Sequence, residues 1–238
     1  MLWSSVPSGP SIFRAVGIVI ATAALSLCGA TQAPPAPMGR YVVVLDAAHG
    51  GEDAGGRLAS GQSEKAATLS LSVRLRSLLA ARGIGVITTR ESDTTLDANH
   101  RAEIANHARA AACLSLHVTE TGAGIHLFTS SLAPAAPTRF VAWRTAQAPW
   151  VTRSLALAGS VNSALQHASM SVTISRTALI AVDSMACPAV AIEVAPERGP
   201  DGKVTAEPDE ADYQSRVATT LAAALLEWRT DAGRTEGR

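Results

Sequence analysis

The order of segment types along the chain limits its fold more than any other feature. A β-branched run from Tyr41 to Leu45 is followed by Leu71, Leu75, Leu78 and Leu79 at helical steps. Gly83 then interrupts, and GVITTR resumes with the composition of a strand. The alternation continues from this strand–helix–strand beginning. The pattern predicts a helix over Leu96 to Ala110 with Asp97 as its cap, then short strands at CLSLHV and GIHLFTS. SSLAPAAPTR reads as a loop, and a helix from about Trp150 to Ala168 would place Leu157, Val161 and Leu165 on one face. TISRTALIAV reads as a strand, and PAVAIEVA as a stronger one that Pro188 can open. ERGPDGKVTAEPDE reads as a long loop. Val217, Leu221, Ala224, Leu225 and Trp228 mark a closing amphipathic helix before an ending, DAGRTEGR, expected to fray. Strands separated by helices predict an α/β fold, a mostly parallel or mixed sheet with helices on both faces. Sites in such folds sit beyond the carboxyl ends of the strands.

Composition excludes several function classes. With 238 residues, 47% of them apolar, the chain can bury the core of one main domain. Basic and acidic residues balance at 20 each and no basic block occurs, so there is no electrostatic footprint for nucleic acid. The absence of a CxxC pair excludes a cysteine-rich metal centre. Cys113 and Cys187 are either a disulfide or two separate core thiols.

The N-terminus differs from the rest. Arg14 precedes the apolar AVGIVIATAALSLCGA, which has the length of a signal-peptide core, and then the breaker-rich TQAPPAPMG. It is shorter than the roughly 20 apolar residues of a membrane span. The expected organisation is therefore a signal peptide or N-terminal anchor at 1–30, a linker at 31–39, the main domain at 40–229 and a flexible tail at 230–238. Cleavage after Ala30, lipid attachment at Cys28 and an uncleaved anchor remain open. Each implies export to the periplasm or cell envelope, with membrane attachment only through the N-terminal segment. Oligomeric state is not legible.

Candidate chemistry gathers at strand ends. In YVVVLDAAHGGEDAGG a strand stops by presenting His49 beside a glycine-rich turn, and CLSLH ends another strand at His117. Glu64 begins the first long helix, so a turn folding back over the sheet edge would bring its carboxylate to both imidazoles. Two histidines and one carboxylate make a catalytic zinc triplet with a position left open. Singly, each has an ordinary explanation: a histidine bonded to backbone, or a glutamate facing first-turn amides. Glu193 inside AVAIEVA needs a partner if it is buried and ionised; a nearby water to deprotonate is one reason for it, and a salt bridge to Arg90 or Arg101 is the structural alternative. A rival set, His100, Glu103 and His107, shares one helical face but matches neither familiar zinc-helix spacing. No G-x-S-x-G elbow supports a serine hydrolase.

Over nearly all of residues 40–229 the sequence resembles the zinc-dependent N-acetylmuramoyl-L-alanine amidases with an amidase-3 type catalytic domain. LDAAHGGEDAGG is similar to the family's Asp-x-Gly-His-Gly-Gly opening, with Ala48 where glycine is usual, and Glu64-Lys65 to its Glu-Lys helix start. GIGVITTRESDTTLDANHRAEIAN resembles the strand, Thr-Arg turn and Leu-x-x-Arg helix, bringing Arg90, Leu96, Arg101, Ala105 and Asn106 into register. SLHVTE resembles the Ser-x-His segment. The resemblance implies His49, Glu64 and His117 as ligands of Zn2+ and Glu193 as the catalytic glutamate. It also implies hydrolysis of the bond between N-acetylmuramic acid and L-alanine in peptidoglycan. Asp46 is expected to hold the far nitrogen of a ligand histidine or to close the turn, and Arg101 to pair with an acid or a substrate carboxylate. Val118 and Thr119 replace an expected alanine and asparagine, and the segment after Glu193 departs from the family pattern. A binding domain without cutting activity, or an exported zinc peptidase acting on another amide, are the alternatives. Trp143 and Trp150 are expected to pack against the domain or to contact substrate.

Overall fold

The structure, a computed structural model, describes residues 41–138 and 140–236. The expected signal peptide or anchor and the linker lie outside the described residues. The elements are β1 (Val42–Ala47), α1 (Glu64–Ala80), β2 (Gly85–Thr88), α2 (Ala98–Ala108), β3 (Ala112–Val118), β4 (Ile125–Ser130), α3 (Val151–His167), β5 (Val172–Thr177), α4 (Ile180–Asp183), β6 (Ala189–Val194), β7 (Glu197–Arg198), β8 (Val204–Ala206) and α5 (Ala211–Glu236). Six strands form one sheet in the order β2-β1-β3-β6-β4-β5. β2, β1, β3 and β6 run parallel, β4 is antiparallel to β6, and β5 is parallel to β4. The sheet is thus mixed, within the expected α/β class.

Strand alternation divides the core in two. Val43, Leu45, Leu114, Leu116, Val190 and Ile192 face the layer of α1, α3 and α5. Val44, Cys113, Ala189 and Ala191 face α2 and the segment around α4. The helical leucines explain the first layer: Leu71, Leu75 and Leu79 are fully buried, and each contributes about 1.5–3 kcal/mol by leaving water. Leu75→Ala would open a cavity there at about 2–5 kcal/mol. Asp97 caps α2 as expected, its carboxylate accepting from the His100 N–H at 2.8 Å.

Three segments depart from expectation. TISRTALIAV is a strand only to Thr177, because Asp183 winds the next residues into a helical turn. Its N–H donates to the Leu179 carbonyl at 2.7 Å while its carboxylate accepts from the Leu179 N–H at 3.2 Å. The acidic loop after β6 contains the β7–β8 hairpin, closed by a Gly199 N–H to Lys203 carbonyl bond of 2.9 Å. α5 continues to Glu236, past the point where fraying is expected. The cysteine alternatives are decided as well: Cys113 and Cys187 form a disulfide, tying β3 to the segment that enters β6. Among the described residues no helix is long and apolar enough to cross a membrane.

Candidate metal centre and catalytic pocket

The loop from β1 to α1 is held by two buried arginines. Asp46 is 1% exposed; its Oδ1 accepts from Arg101 Nη1 at 2.8 Å and Thr89 Oγ1 at 2.7 Å, and its Oδ2 from Ser115 Oγ at 2.8 Å. Arg101 goes on to donate to the carbonyls of Ala47 at 2.7 Å and His49 at 2.6 Å. Arg90 donates to the carbonyls of Ala47 at 2.9 Å, Ala48 at 2.9 Å and Lys65 at 2.7 Å. Fixing the backbone at this many points has a reason. His49 adopts φ 61°, a left-handed conformation that costs a non-glycine residue on the order of 1–3 kcal/mol unless its surroundings impose it.

That backbone turns the His49 ring toward Glu64. His49 Nε2 lies 3.1 Å from Glu64 Oε2, and His117 Nδ1, at the end of β3, lies 3.0 Å from Glu64 Oε1. The two imidazoles meet edge to face with centroids 5.6 Å apart. Gly55 makes the approach feasible: at φ +64°, an added Cβ would stand 2.6 Å from His49 Cδ2 and 2.7 Å from Glu64 Oε2. The Glu64 side chain is only 11% exposed. Burial opposes its ionisation, but hydrogen bonds from His117, His49 and the Gly56 N–H outweigh burial and hold its carboxyl far below the usual range. The Glu64 carboxylate and, after the opposing effect of burial, Asp53 raise the His49 pKa.

The donor set fits zinc. Donors about 2.0–2.1 Å from one ion stand roughly 3.3 Å from one another, and one donor atom from each of His49, Glu64 and His117 lies within 4.8 Å of the others. The set has the two nitrogens and one oxygen of a catalytic site, and Nδ1 of His49 is oriented by Asp53 Oδ2 at 2.8 Å. Among the described residues no other three potential ligands converge in this way. In the rival set on α2, His100 instead turns to Asp97 at 3.0 Å.

Sheet register supplies the rest. Glu193 on β6 is the register partner of both His117 on β3 and His126 on β4, so the three stand in one row across the sheet. His117 and Glu193, with Phe128, Thr177, Leu179 and Ala191, line a pocket of about 260 Å³. The lining combines the polar His117, Glu193 and Thr177 with the apolar Phe128, Leu179 and Ala191.

Individual side chains take definite partners in the structure. Glu193 is not buried; its side chain is 33% exposed, and its partner is His126, with Nδ1 2.8 Å from Oε1. Neither Arg90 nor Arg101 pairs with it, since both are occupied by the β1–α1 loop. Asp46 does not reach His49; Asp53, 64% exposed, orients the ring instead. Arg101 pairs with an acid, Asp46, inside the protein, the first of its two expected roles. Sequence reasoning singles out neither Asp53 nor His126. Asp53 carries a usable signal, four residues after His49 in the same turn; His126 shows its meaning only through the pairing of β4 with β6. Trp143 leans on α2, its Nε1 donating to Asn99 at 3.2 Å, and Trp150 is half-buried.

Known proteins bear on this geometry. Residues 43–227 match the family model described as N-acetylmuramoyl-L-alanine amidase, of the amidase-3 type. The N-acetylmuramoyl-L-alanine amidase AmiA of Escherichia coli is 39% identical over 79 residues, which span 33% of this chain and 27% of that protein. The germination-specific N-acetylmuramoyl-L-alanine amidase of Bacillus subtilis is 34% identical over 96 residues, 34% of this chain and 40% of that protein. The matched segments thus cover well under two thirds of these relatives. Among solved structures, the amidase AmiC2 of Nostoc punctiforme superposes with a TM-score of 0.61 at 21% identity, covering 81% of this chain and 98% of that one. Ami1 of Mycobacterium smegmatis gives 0.63 at 20% identity, over 79% and 95%. At such identities these structures show the shared fold. Because the family match runs from β1 into α5 and takes in every residue that shapes the site, the chain belongs to the amidase-3 family of N-acetylmuramoyl-L-alanine amidases.

Proposed function

We propose that this chain cleaves peptidoglycan at the amide joining the lactyl group of N-acetylmuramic acid to L-alanine, using a zinc ion held by His49, Glu64 and His117. The observation that carries the reading is the row that sets Glu193 beside His117 at a pocket mouth, next to a converged three-ligand set. A bound zinc ion supplies Lewis acidity, polarising an amide carbonyl and lowering the pKa of water. Glu193, partly exposed, accepts the proton of the attacking water and delivers it to the departing nitrogen, so the same carboxylate acts as base and then acid. Phe128, Leu179 and Ala191 offer the apolar wall against which small side chains of the substrate pack, excluding water from that side. Asp53 keeps His49 in the tautomer whose Nε2 is free to bind metal.

Export to the periplasm or cell envelope is part of the proposal. The apolar N-terminal segment supports it, and so does the Cys113–Cys187 disulfide, a bond typical of oxidising compartments. The test is metal analysis combined with product analysis on purified peptidoglycan, for the wild-type chain and Glu193→Ala. One zinc per chain, release of stem peptides with N-terminal L-alanine, and loss of release with zinc retained in the variant are expected. Zinc without release would turn the reading toward a binding domain or another amide substrate. A folded protein that takes up no zinc would overturn the ligand assignment.

A further inference from the structure

The Glu193 carboxylate is held on one side only. Nδ1 of His126 lies 2.8 Å from Oε1, while among the described residues no hydrogen bond engages Oε2. His126 is itself fixed at its other nitrogen, with Nε2 3.2 Å from the carbonyl oxygen of Ala123. The Ala123 carbonyl and the Glu193 carboxylate both accept, so each is met by a ring N–H, and the ring has one orientation in which Nδ1–H donates to the carboxylate. The ring packs edge to face on Phe128, centroids 6.3 Å apart, and Phe128 lines the pocket. Gly122, at φ +86°, leaves the space the ring needs, since an added Cβ would stand 2.7 Å from His126 Cε1.

We propose that His126 is a positioning residue for Glu193: it holds Oε1 through Nδ1 and so leaves Oε2 as the oxygen that handles protons. The inference rests on the amidase reading above. Two features favour it over a surface ion pair without consequence. Residues opposite each other on adjacent strands share one face of the sheet, and here β3, β6 and β4 place His117, Glu193 and His126 in a single row. His126 is also held by a backbone carbonyl at Nε2 and by an aromatic neighbour, Phe128, which a freely rotating surface histidine would lack. A partly exposed carboxylate near a strand end otherwise samples several rotamers, and the productive one is then occupied for only part of the time.

Two variants of the full chain separate the possibilities. His126→Asn keeps an N–H near the Nδ1 position, and His126→Leu keeps bulk without a donor. Each is compared with wild type for zinc content, for kcat and KM on a defined soluble muropeptide, and by crystal structure. Zinc content is expected to be unchanged in both. In the leucine variant kcat should fall about 10–100-fold, the range seen when orienting partners are lost, with KM little altered, and His126→Asn should recover most of the loss. Crystals should show the Glu193 carboxylate displaced in the leucine variant and retained in the asparagine variant. An undiminished kcat, or a Glu193 side chain that keeps its place in His126→Leu, would overturn the assignment. If the wild-type chain releases nothing from the muropeptide, the amidase reading fails, yet the position of Glu193 in the crystals still decides the role of His126. Should His126→Leu not fold, Gly122→Ala crowds the ring at Cε1 and is expected to move Glu193 in the same manner.

Discussion

The two halves of the site are built in opposite ways. The β1–α1 loop presents His49 on irregular, left-handed backbone and delivers Glu64 at the start of α1, with two arginines bonded to successive carbonyls. The β3–β6–β4 row presents His117, Glu193 and His126 from regular strands, where pairing register alone sets the spacing. The loop half therefore depends on side chains distant in sequence from the candidate ligands, and the sheet half on strand alignment. Irregular backbone needs a buried polar framework to stay in place, whereas a ladder is self-aligning.

The difference can be broken most severely at Asp46. Asp46→Ala leaves Arg101 buried without its carboxylate, and loss of one member of a buried pair is worth about 3–5 kcal/mol. Urea denaturation should show that loss, and competition with a chelator should show weakened zinc binding, because the His49 carbonyl loses its rigid donor. A variant of normal stability would refute the framework account.

The sheet half has its own restraint in the disulfide. Cys113 precedes the row on β3, and Cys187 leads into β6, where the Cys113 N–H donates to the Pro188 carbonyl at 2.8 Å. Cys113→Ala with Cys187→Ala opens a loop of 74 residues in sequence, and about 2–4 kcal/mol of stability should be lost, read as a lower urea midpoint. Zinc affinity should change little, since the ladder still aligns β3 with β6. A large fall in affinity would mean that the staple, not the register, positions His117.

The smallest effect on stability is expected at Gly55. Gly55→Ala places a Cβ against His49 and Glu64 at a positive φ, a strain of about 1–3 kcal/mol confined to one turn. Its chief result should be weaker zinc binding, by tenfold or more, measured by the same chelator competition. Unchanged affinity would show that the two ligands have room to spare.

Part of this architecture is legible in the chain itself. The leucines of α1 and the cap at Asp97 announce their helices, and the positions of His49 and His117 after apolar runs place them at strand ends. α4 reads as strand in the sequence because its apolar residues lie in too short a run for a period to emerge; a single bond pattern around Asp183 decides it. Glu193 reads as buried because every neighbour in AVAIEV is apolar, yet it stands next to the end of the strand, partly exposed in the lining of the pocket.

Most of the element order, the apolar faces and the candidate site residues are legible in sequence because they depend on local periodicity and on residue type near element ends. Which acid serves which base does not. Asp53 rather than Asp46 orients His49, Asp46 holds Arg101, and His126 holds Glu193, although Asp46 and Arg101 are 55 positions apart and His126 and Glu193 are 67 apart. Such pairings are fixed by strand order and by the return path of one loop, quantities set by the packing of the whole domain and invisible in any window of the chain.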